Sequence, residues 1–373
     1  HRVSSRSMVM AWTRLTFSML REYRMATFRT EPPAADMSRI GVLLCNLGTP
    51  EAPTAEALRP YLAEFLGDRR VVELSRALWW PILHGRILRQ RPAKSAEKYR
   101  SIWTPEGSPL AIWTEKQAAL LRDYLAQRGL DLRVRHAMRY GQPQVDVELD
   151  ALRAEGCDRI LVLPLYPQYS ATTVGSVMDV VADWIRSTRN VPELRFVKAY
   201  CEHERYIEAL AQIVTHHWQR EGRPDKLLMS FHGVPQRMVD HGDPYQQHCE
   251  QTAARVAARL GLAEGDWLLS FQSRFGRAKW IGPATDTTLK KLGKAGTGRV
   301  DVICPGFVSD CLETLEEIAI EGKQIFEEAG GGQLHYLPCL NDHPTWIQAL
   351  ADLVQTHTQG WPVTAADSQR AAA

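Results

Sequence analysis

Leu227-Leu228-Met229-Ser230-Phe231-His232-Gly233-Val234-Pro235 is an apolar, strand-like run that breaks at a glycine and a proline. A strand ending in a turn offers its last side chain to the crevice beyond it, where open α/β sheets bind ligands. The same layout occurs earlier, in Leu43-Leu44-Cys45-Asn46-Leu47-Gly48-Thr49-Pro50. Aligning the two Gly-x-Pro turns sets Leu47 opposite His232. One half presents an apolar side chain there. The other presents an imidazole, whose ordinary pKa of about 6.5 suits proton transfer near neutrality.

Outward from these runs, short apolar segments alternate with longer helical patterns. Candidate strands lie at 40–47, 132–138, 159–164, 194–197, 226–231, 267–272, 299–304 and 333–337. Helical periodicity lies at 54–65, 114–128, 143–155, 174–188, 205–219, 246–260 and 311–328. Strands alternating with helices imply parallel βαβ units with helices on both faces. The continuous runs Ile160-Leu161-Val162-Leu163 and Val300-Asp301-Val302-Ile303 suit strands buried on both sides. Two stretches, from Arg159 to Pro164 and from Arg299 to Pro305, lead from a strand into a proline and a polar helix start, each after the strand–turn motif of its own half. The expected fold is therefore α/β: two similar Rossmann-like domains, each a four-stranded parallel sheet flanked by helices, facing across a cleft. The expected limits are 38–190 and 191–343, with a helix at 344–362 packing back and disordered ends at 1–37 and 363–373.

The chain has 373 residues, 45% apolar and 24% charged, with 45 basic and 43 acidic side chains. That balance offers nothing global to nucleic acid. Seven scattered cysteines, without a CxxC pair, do not read as a disulfide framework and suit a reducing cytoplasm. No run approaches 18 consecutive apolar residues, the least a membrane-spanning helix needs. Residues 1–37 are Arg-rich and begin at His1, with Met8, Met10, Met19, Met25 and Met37 as possible starts. They read as a mis-called upstream extension rather than a transit peptide.

Candidate chemistry clusters at strand ends. In the run from Pro305 to Glu317, Glu313 and Glu317 are four apart and share one helix face, with Glu321 continuing the line and Glu316 turned away. Stacked carboxylates can bind a divalent metal or relay protons. Asp310 and Glu313 also have capping-box spacing, which is a purely structural use. The run from Leu165 to Ser176 holds Tyr166, Tyr169, Ser170, Thr172 and Thr173. Its hydroxyls can cap the next helix or hold a ligand carboxylate at its N-terminus. Arg139, Arg274 and Arg277 follow strands in equivalent places and would suit a flat dicarboxylate. Trp79, Trp80 and their apolar neighbours precede His84, Arg86, Arg89 and Arg91, a pattern of membrane–water interfaces or of a buried helix start. His216, His217 and His335 lack metal-ligand spacing. No HExxH, GxGxxG, Walker A or GxSxG element occurs.

Taken in order, these motifs resemble the ferrochelatase family, whose members insert ferrous iron into a porphyrin at the end of haem synthesis. The resemblance runs from about Ile40 to Pro362. It is carried by Asn46-Leu47-Gly48-Thr49-Pro50, the stretch from Tyr99 to Pro109, that from Leu165 to Ser176, Phe231-His232-Gly233, the stretch from Lys279 to Pro283, and that from Pro305 to Leu315. It implies the chelatase fold, with His232 as catalytic base, Glu313 and Glu317 as its acidic partners, and His232 and Glu313 as candidate iron ligands. Leu47, Arg139, Tyr166, Ser170, Thr172 and Trp280 would line the porphyrin cleft. The 77–91 segment would be a lip touching the inner face of the cytoplasmic membrane. Fe²⁺ enters as a substrate. Some relatives carry a [2Fe–2S] cluster on C-terminal cysteines; here only Cys339 lies there, so no cluster is expected.

The implied activity is metallation of protoporphyrin IX, by a monomer or weak dimer. The apolar lip favours that ring over coproporphyrin, whose four carboxylates need no membrane contact. Competing readings are another tetrapyrrole chelatase, a non-catalytic porphyrin binder, which has no need of a base, and a periplasmic-type binding protein, which would carry a secretory signal.

Overall fold

The computed structural model describes residues 28–29, 38–276 and 278–363. Eight strands form: β1 (Arg39–Gly48), β2 (Leu132–Tyr140), β3 (Cys157–Pro164), β4 (Glu193–Phe196), β5 (Lys226–His232), β6 (Trp267–Gln272), β7 (Arg299–Ile303) and β8 (Gln333–Tyr336). They make two parallel sheets with one shared topology, β2-β1-β3-β4 and β6-β5-β7-β8. The central strands β1 and β5 are thus equivalent, and they end at the Leu47 and His232 turns. Because β4 pairs with β3 through Arg159↔Glu193 to Val162↔Phe196, the first sheet continues past the boundary at 190 expected from sequence.

The helices are α1 (Ala55–Gly67), α2 (Arg76–Ile82), α3 (Leu88–Ile102), α4 (Pro109–Gln127), α5 (Val145–Ala154), α6 (Ser176–Ser187), α7 (Glu204–Glu221), α8 (Gln236–Asp240), α9 (Tyr245–Arg259), α10 (Thr285–Lys294), α11 (Leu312–Leu315), α12 (Lys323–Glu328) and α13 (Pro344–His357). Wide π-helical turns occur at Leu83–Ile87, Ala171–Gly175 and Glu317–Gly322, the last within the 311–328 stretch that periodicity reads as continuous helix. Such turns concentrate at functional sites.

The largest apolar cluster belongs to both halves. Val42, Leu44 and Leu161 of the first sheet pack with Met229 and Phe231 of the second, and with Trp346 and Leu350 of α13. That helix lies against α4 and α7. Removing this much apolar surface from water is the main stabilising term, at about 25 cal/mol per Å². It also ties the two sheets to each other. Each sheet buries its other face in a smaller cluster of its own, around Leu149 and Trp184 in the first and Leu289 and Phe326 in the second. Of the extension, Phe28 and Arg29 dock on the first half. The Arg29 main chain donates to Ser187 O at 2.9 Å, and its guanidinium pairs with Asp146 and Asp150.

The turn after β1 accepts only glycine. Gly48 has φ +108°, and a Cβ there would stand 1.7 Å from the Tyr140 carbonyl. The equivalent Gly233 would bring a Cβ within 2.8 Å of Gln272 O and 3.2 Å of the Trp280 ring. The two turns therefore hold their strand ends close against the neighbouring strand.

Candidate active site

His232 closes β5, paired with Gln272 at the end of β6. Its Nδ1 lies 2.6 Å from Gly233 O. A carbonyl can only accept, so Nδ1 carries the hydrogen and Nε2 keeps its lone pair. Gln272 is almost fully buried and fixed in orientation: its Oε1 accepts from Ser230 Oγ at 2.7 Å, which turns Nε2 toward Glu313 O at 2.6 Å and Glu317 at 3.5 Å.

Glu317 is held by Ser273. The Ser273 main-chain N–H donates to Oε1 at 2.6 Å and its Oγ donates to Oε2 at 2.5 Å. Ser273 reaches this geometry at φ +64°, a left-handed conformation that few non-glycine residues adopt. Burial raises the Glu317 carboxyl above its ordinary value; the Ser273 donors and the His232 charge pull it back, while the Glu313 charge pushes it further up. Glu317 therefore sits within electrostatic reach of both His232 and Glu313.

Glu313 sits in the short α11, whose cap differs from the expected one. Cys311, not Asp310, is the cap, and its N–H donates to Thr314 Oγ1 at 3.0 Å. Asp310 is instead a buried anchor, accepting from Tyr336 at 2.5 Å, Asn341 at 2.6 Å and Thr314 at 3.1 Å. The Glu313 carboxylate is thereby left out of the capping and faces the first half. There Leu47 packs in one apolar cluster with Tyr61, Tyr99, Leu312 and Leu315. Burial pushes the Tyr61 hydroxyl well up, with Tyr99 and then Glu313 adding to it; burial and then Glu313 push up Tyr99. Sequence assigns neither tyrosine a site role: Tyr61 falls inside the helical pattern at 54–65 and Tyr99 only opens the stretch to Pro109.

Glu321 does not continue the carboxylate line. In the π turn the Glu321 N–H bonds to Glu316 O, five residues back, at 2.8 Å. That extra residue per turn rotates Glu321 onto the Glu316 face, and both bind Lys98, at 3.0 and 2.8 Å.

The remaining expected cleft residues divide into two groups. Tyr166 has a buried hydroxyl without a protein partner, an orphan donor of the kind a ligand satisfies. Trp280 bridges to Pro235 in a short antiparallel pair, stacks edge-on with Phe275 at 4.9 Å and donates Nε1–H to Phe275 O. Arg139, in contrast, is committed within the protein. It donates to Ser176 Oγ and Asp68 Oδ2, each at 2.6 Å. Although burial opposes it, donation from Ser176 and the Arg70 N–H, with the Arg139 charge, holds Asp68 below the ordinary carboxylate range. Ser170 is the helix cap that sequence allowed, accepting from Thr172 N at 3.2 Å, and its hydroxyl also meets Thr172 Oγ1 at 3.0 Å. The carboxylate at this helix start belongs to Asp243, which accepts from Ser170 Oγ at 3.0 Å and Ala171 N at 2.7 Å. Arg274 pairs with Asp286 at 2.7 Å on the surface, and Arg277 lies outside the described residues.

At the cleft mouth, α2 buries none of its residues. Leu74, Leu78, Trp80 and Ile82 are exposed, while Trp79 turns inward and donates to Leu66 O at 2.7 Å. Arg91 lies over the exposed Phe275 ring of the second half, 5.5 Å from its centroid. Among the described residues no helix is long and apolar enough to cross a membrane.

The model of the ferrochelatase family matches residues 39–358. The ferrochelatase of Polaromonas sp. is 56% identical over 335 residues, covering 90% of this chain and 91% of that protein. That of Methylibium petroleiphilum is 58% identical over 328 residues, covering 88% and 90%. Among solved structures, SirB from Bacillus subtilis with Fe³⁺ superposes with a TM-score of 0.50 at 12% identity, covering 86% of this chain and 96% of that one, a likeness of fold.

Ser273→Ala removes one donor that favours ionised Glu317. The carboxyl band of Glu317, followed by infrared titration, should then move to higher pH than in the parent. An unmoved titration would separate Ser273 Oγ from the site.

Proposed function

The chain belongs to the ferrochelatase family, and we propose that its His232 cleft metallates protoporphyrin IX by the route set out below. As a ferrochelatase it inserts Fe²⁺ into a porphyrin for haem synthesis. The reaction exchanges two pyrrole N–H protons for Fe²⁺, so the site must take up protons and strip water from the ion.

One observation carries the assignment of the base: the Nδ1–H of His232 is spent on Gly233 O, leaving Nε2 as an acceptor beside a buried carboxyl with raised proton affinity. In this reading Nε2 takes each pyrrole proton. Glu317, within electrostatic reach of His232, receives it and passes it outward, and Ser273 holds Glu317 in place throughout. General-base catalysis of this kind contributes about 10²–10⁴-fold. Before it takes up a proton, His232 Nε2 would offer, with Glu313, a nitrogen and an oxygen donor, a set suited to Fe²⁺ as it sheds water. Leu47, Tyr166 and Trp280 supply apolar and aromatic wall, and the buried Tyr166 hydroxyl has no protein partner. Ser170 and Thr172 act at one remove, by holding the wall's helix start against Asp243.

The ring preference follows from charge and exposure. A ring with four carboxylates calls for free cations, and Arg139 and Arg274 are both spent on protein carboxylates. The exposed Leu74, Leu78, Trp80 and Ile82 instead suit a lipophilic ring taken from a membrane surface, with the lip resting peripherally on it.

His232→Ala should lower turnover about 10²–10⁴-fold while free-porphyrin fluorescence quenching still reports ring binding; near-normal turnover would sink the assignment. Separately, Leu78→Glu with Trp80→Glu should abolish cosedimentation with anionic lipid vesicles and slow metallation of vesicle-borne protoporphyrin. Unchanged sedimentation would refute the lip contact, and faster parent turnover of coproporphyrin would refute the ring preference.

A further inference from the structure

His217, Asp301 and His335 come from three elements and meet at the other end of the second sheet. The β7–β8 register pairs Asp301 with His335, and α7 crosses over them to bring in His217. Sequence spacing gave no reason to join these histidines, because strand pairing and helix packing make the contact. His217 Nε2 stands 3.2 Å from His335 Nδ1. Asp301 reaches the first through Oδ2 at 3.5 Å and the second through Oδ1 at 3.8 Å. An ion with metal–nitrogen bonds near 2.1 Å holds neighbouring donor atoms about 3.0–3.4 Å apart. The imidazole spacing already meets that requirement, and Asp301 Oδ1 stands a few tenths of an ångström outside it from His335.

The cluster is built around positive charge. Asp301 is fully buried, and Arg299 donates to its Oδ1 from Nε at 2.8 Å and to its Oδ2 from Nη2 at 2.9 Å. Trp218 Nε1 adds a bond to Oδ2 at 2.8 Å, so Oδ2 is saturated and Oδ1 retains acceptor capacity on the His335 side. Arg299 Nη2 also lies 3.1 Å from His217 Nε2. Only an imidazole nitrogen with its lone pair available accepts such a donor, and that is the form that ligates a metal. Arg299 and Trp218 by themselves satisfy Asp301; its charge does not account for the two imidazoles. Their side chains are 21% and 28% exposed, which leaves a way in from solvent.

We propose that His217 Nε2, His335 Nδ1 and Asp301 Oδ1 bind a divalent first-row transition ion, with Zn²⁺ the best match to two nitrogens and one oxygen. Arg299 gives up His217 to the ion and stays on Asp301 as an outer partner. This site is distinct from the catalytic cleft. The β5–β7 register sets Asp301 beside Leu227, five residues before His232, or roughly 16 Å along the strand.

The test uses the full chain carrying His232→Ala, so that the cleft histidine cannot ligate, stripped with chelator and titrated with Co²⁺. One Co²⁺ per chain should bind, with visible ligand-field bands of a nitrogen–oxygen site. His335→Ala and His217→Ala, each added singly, should weaken binding by roughly 100-fold and remove the bands, with the thermal midpoint of the metal-free chain unchanged. Both changes are at partly exposed side chains, and agreement between them guards against a folding defect in either. Absence of Co²⁺ uptake by the His232→Ala parent, or uptake in both variants equal to that of this parent, would overturn the site.

Discussion

A buried carboxylate must be met by donors, and Glu317 is met by two from a single residue. Strand β6 ends level with His232, so the next residue, Ser273, projects its N–H and Oγ beyond the sheet edge. Bringing both to one carboxylate requires φ +64°, at a cost of about 1–3 kcal/mol for a non-glycine residue. Hydrogen bonds to a charged group return about 1.5–3 kcal/mol each. The balance favours the arrangement only while Glu317 is in place, so the strained turn and the carboxylate depend on each other. The π turn that begins at Glu317, the Gln272 amide locked by Ser230 and the Asp310 anchor behind α11 all serve to deliver that carboxylate beside His232.

The two halves solve the same problem with opposite electrostatic outcomes. In the first, Arg139 stands one residue before the end of β2, and Asp68, just past α1, neutralises it. In the second, the corresponding strand β6 is followed by Ser273, and the helix-borne carboxylate lies by an imidazole that can change charge. Leu47 against His232 repeats the contrast at the central strands. A charge-closed wall opposite a proton-exchanging one is the division of labour that metallation of a ring needs, since protons leave from the side that holds the base.

All eight strands were legible because each is a short run with apolar residues bounded by turn residues, the central β1, β3, β5 and β7 being mostly buried. The shared topology was legible through the two Gly-x-Pro turns. What escaped was whatever depends on contacts distant in sequence or on helix phase. A periodicity of 3.6 continues the 311–328 pattern straight through, so the π turn and the move of Glu321 to Lys98 leave no local mark. Cys311 took the cap from Asp310 because Asp310 finds stronger donors in Tyr336 and Asn341, far along the chain. The carboxylate expected over Ser170 exists, but Asp243 supplies it. Segment 76–102 forms helices despite internal Pro81 and Pro92, which hid them from a propensity reading.

The central claim is that a porphyrin lies between Leu47 and His232, with Nε2 of the histidine turned to the pyrrole nitrogens. A crystal structure of the chain with metal-free protoporphyrin bound measures this directly. The account predicts His232 Nε2 over the centre of one ring face, Leu47 against the other, and Glu317 still on Ser273. A ring bound with Leu47 and His232 on the same face, or with His232 Nε2 turned away from its centre, would contradict it.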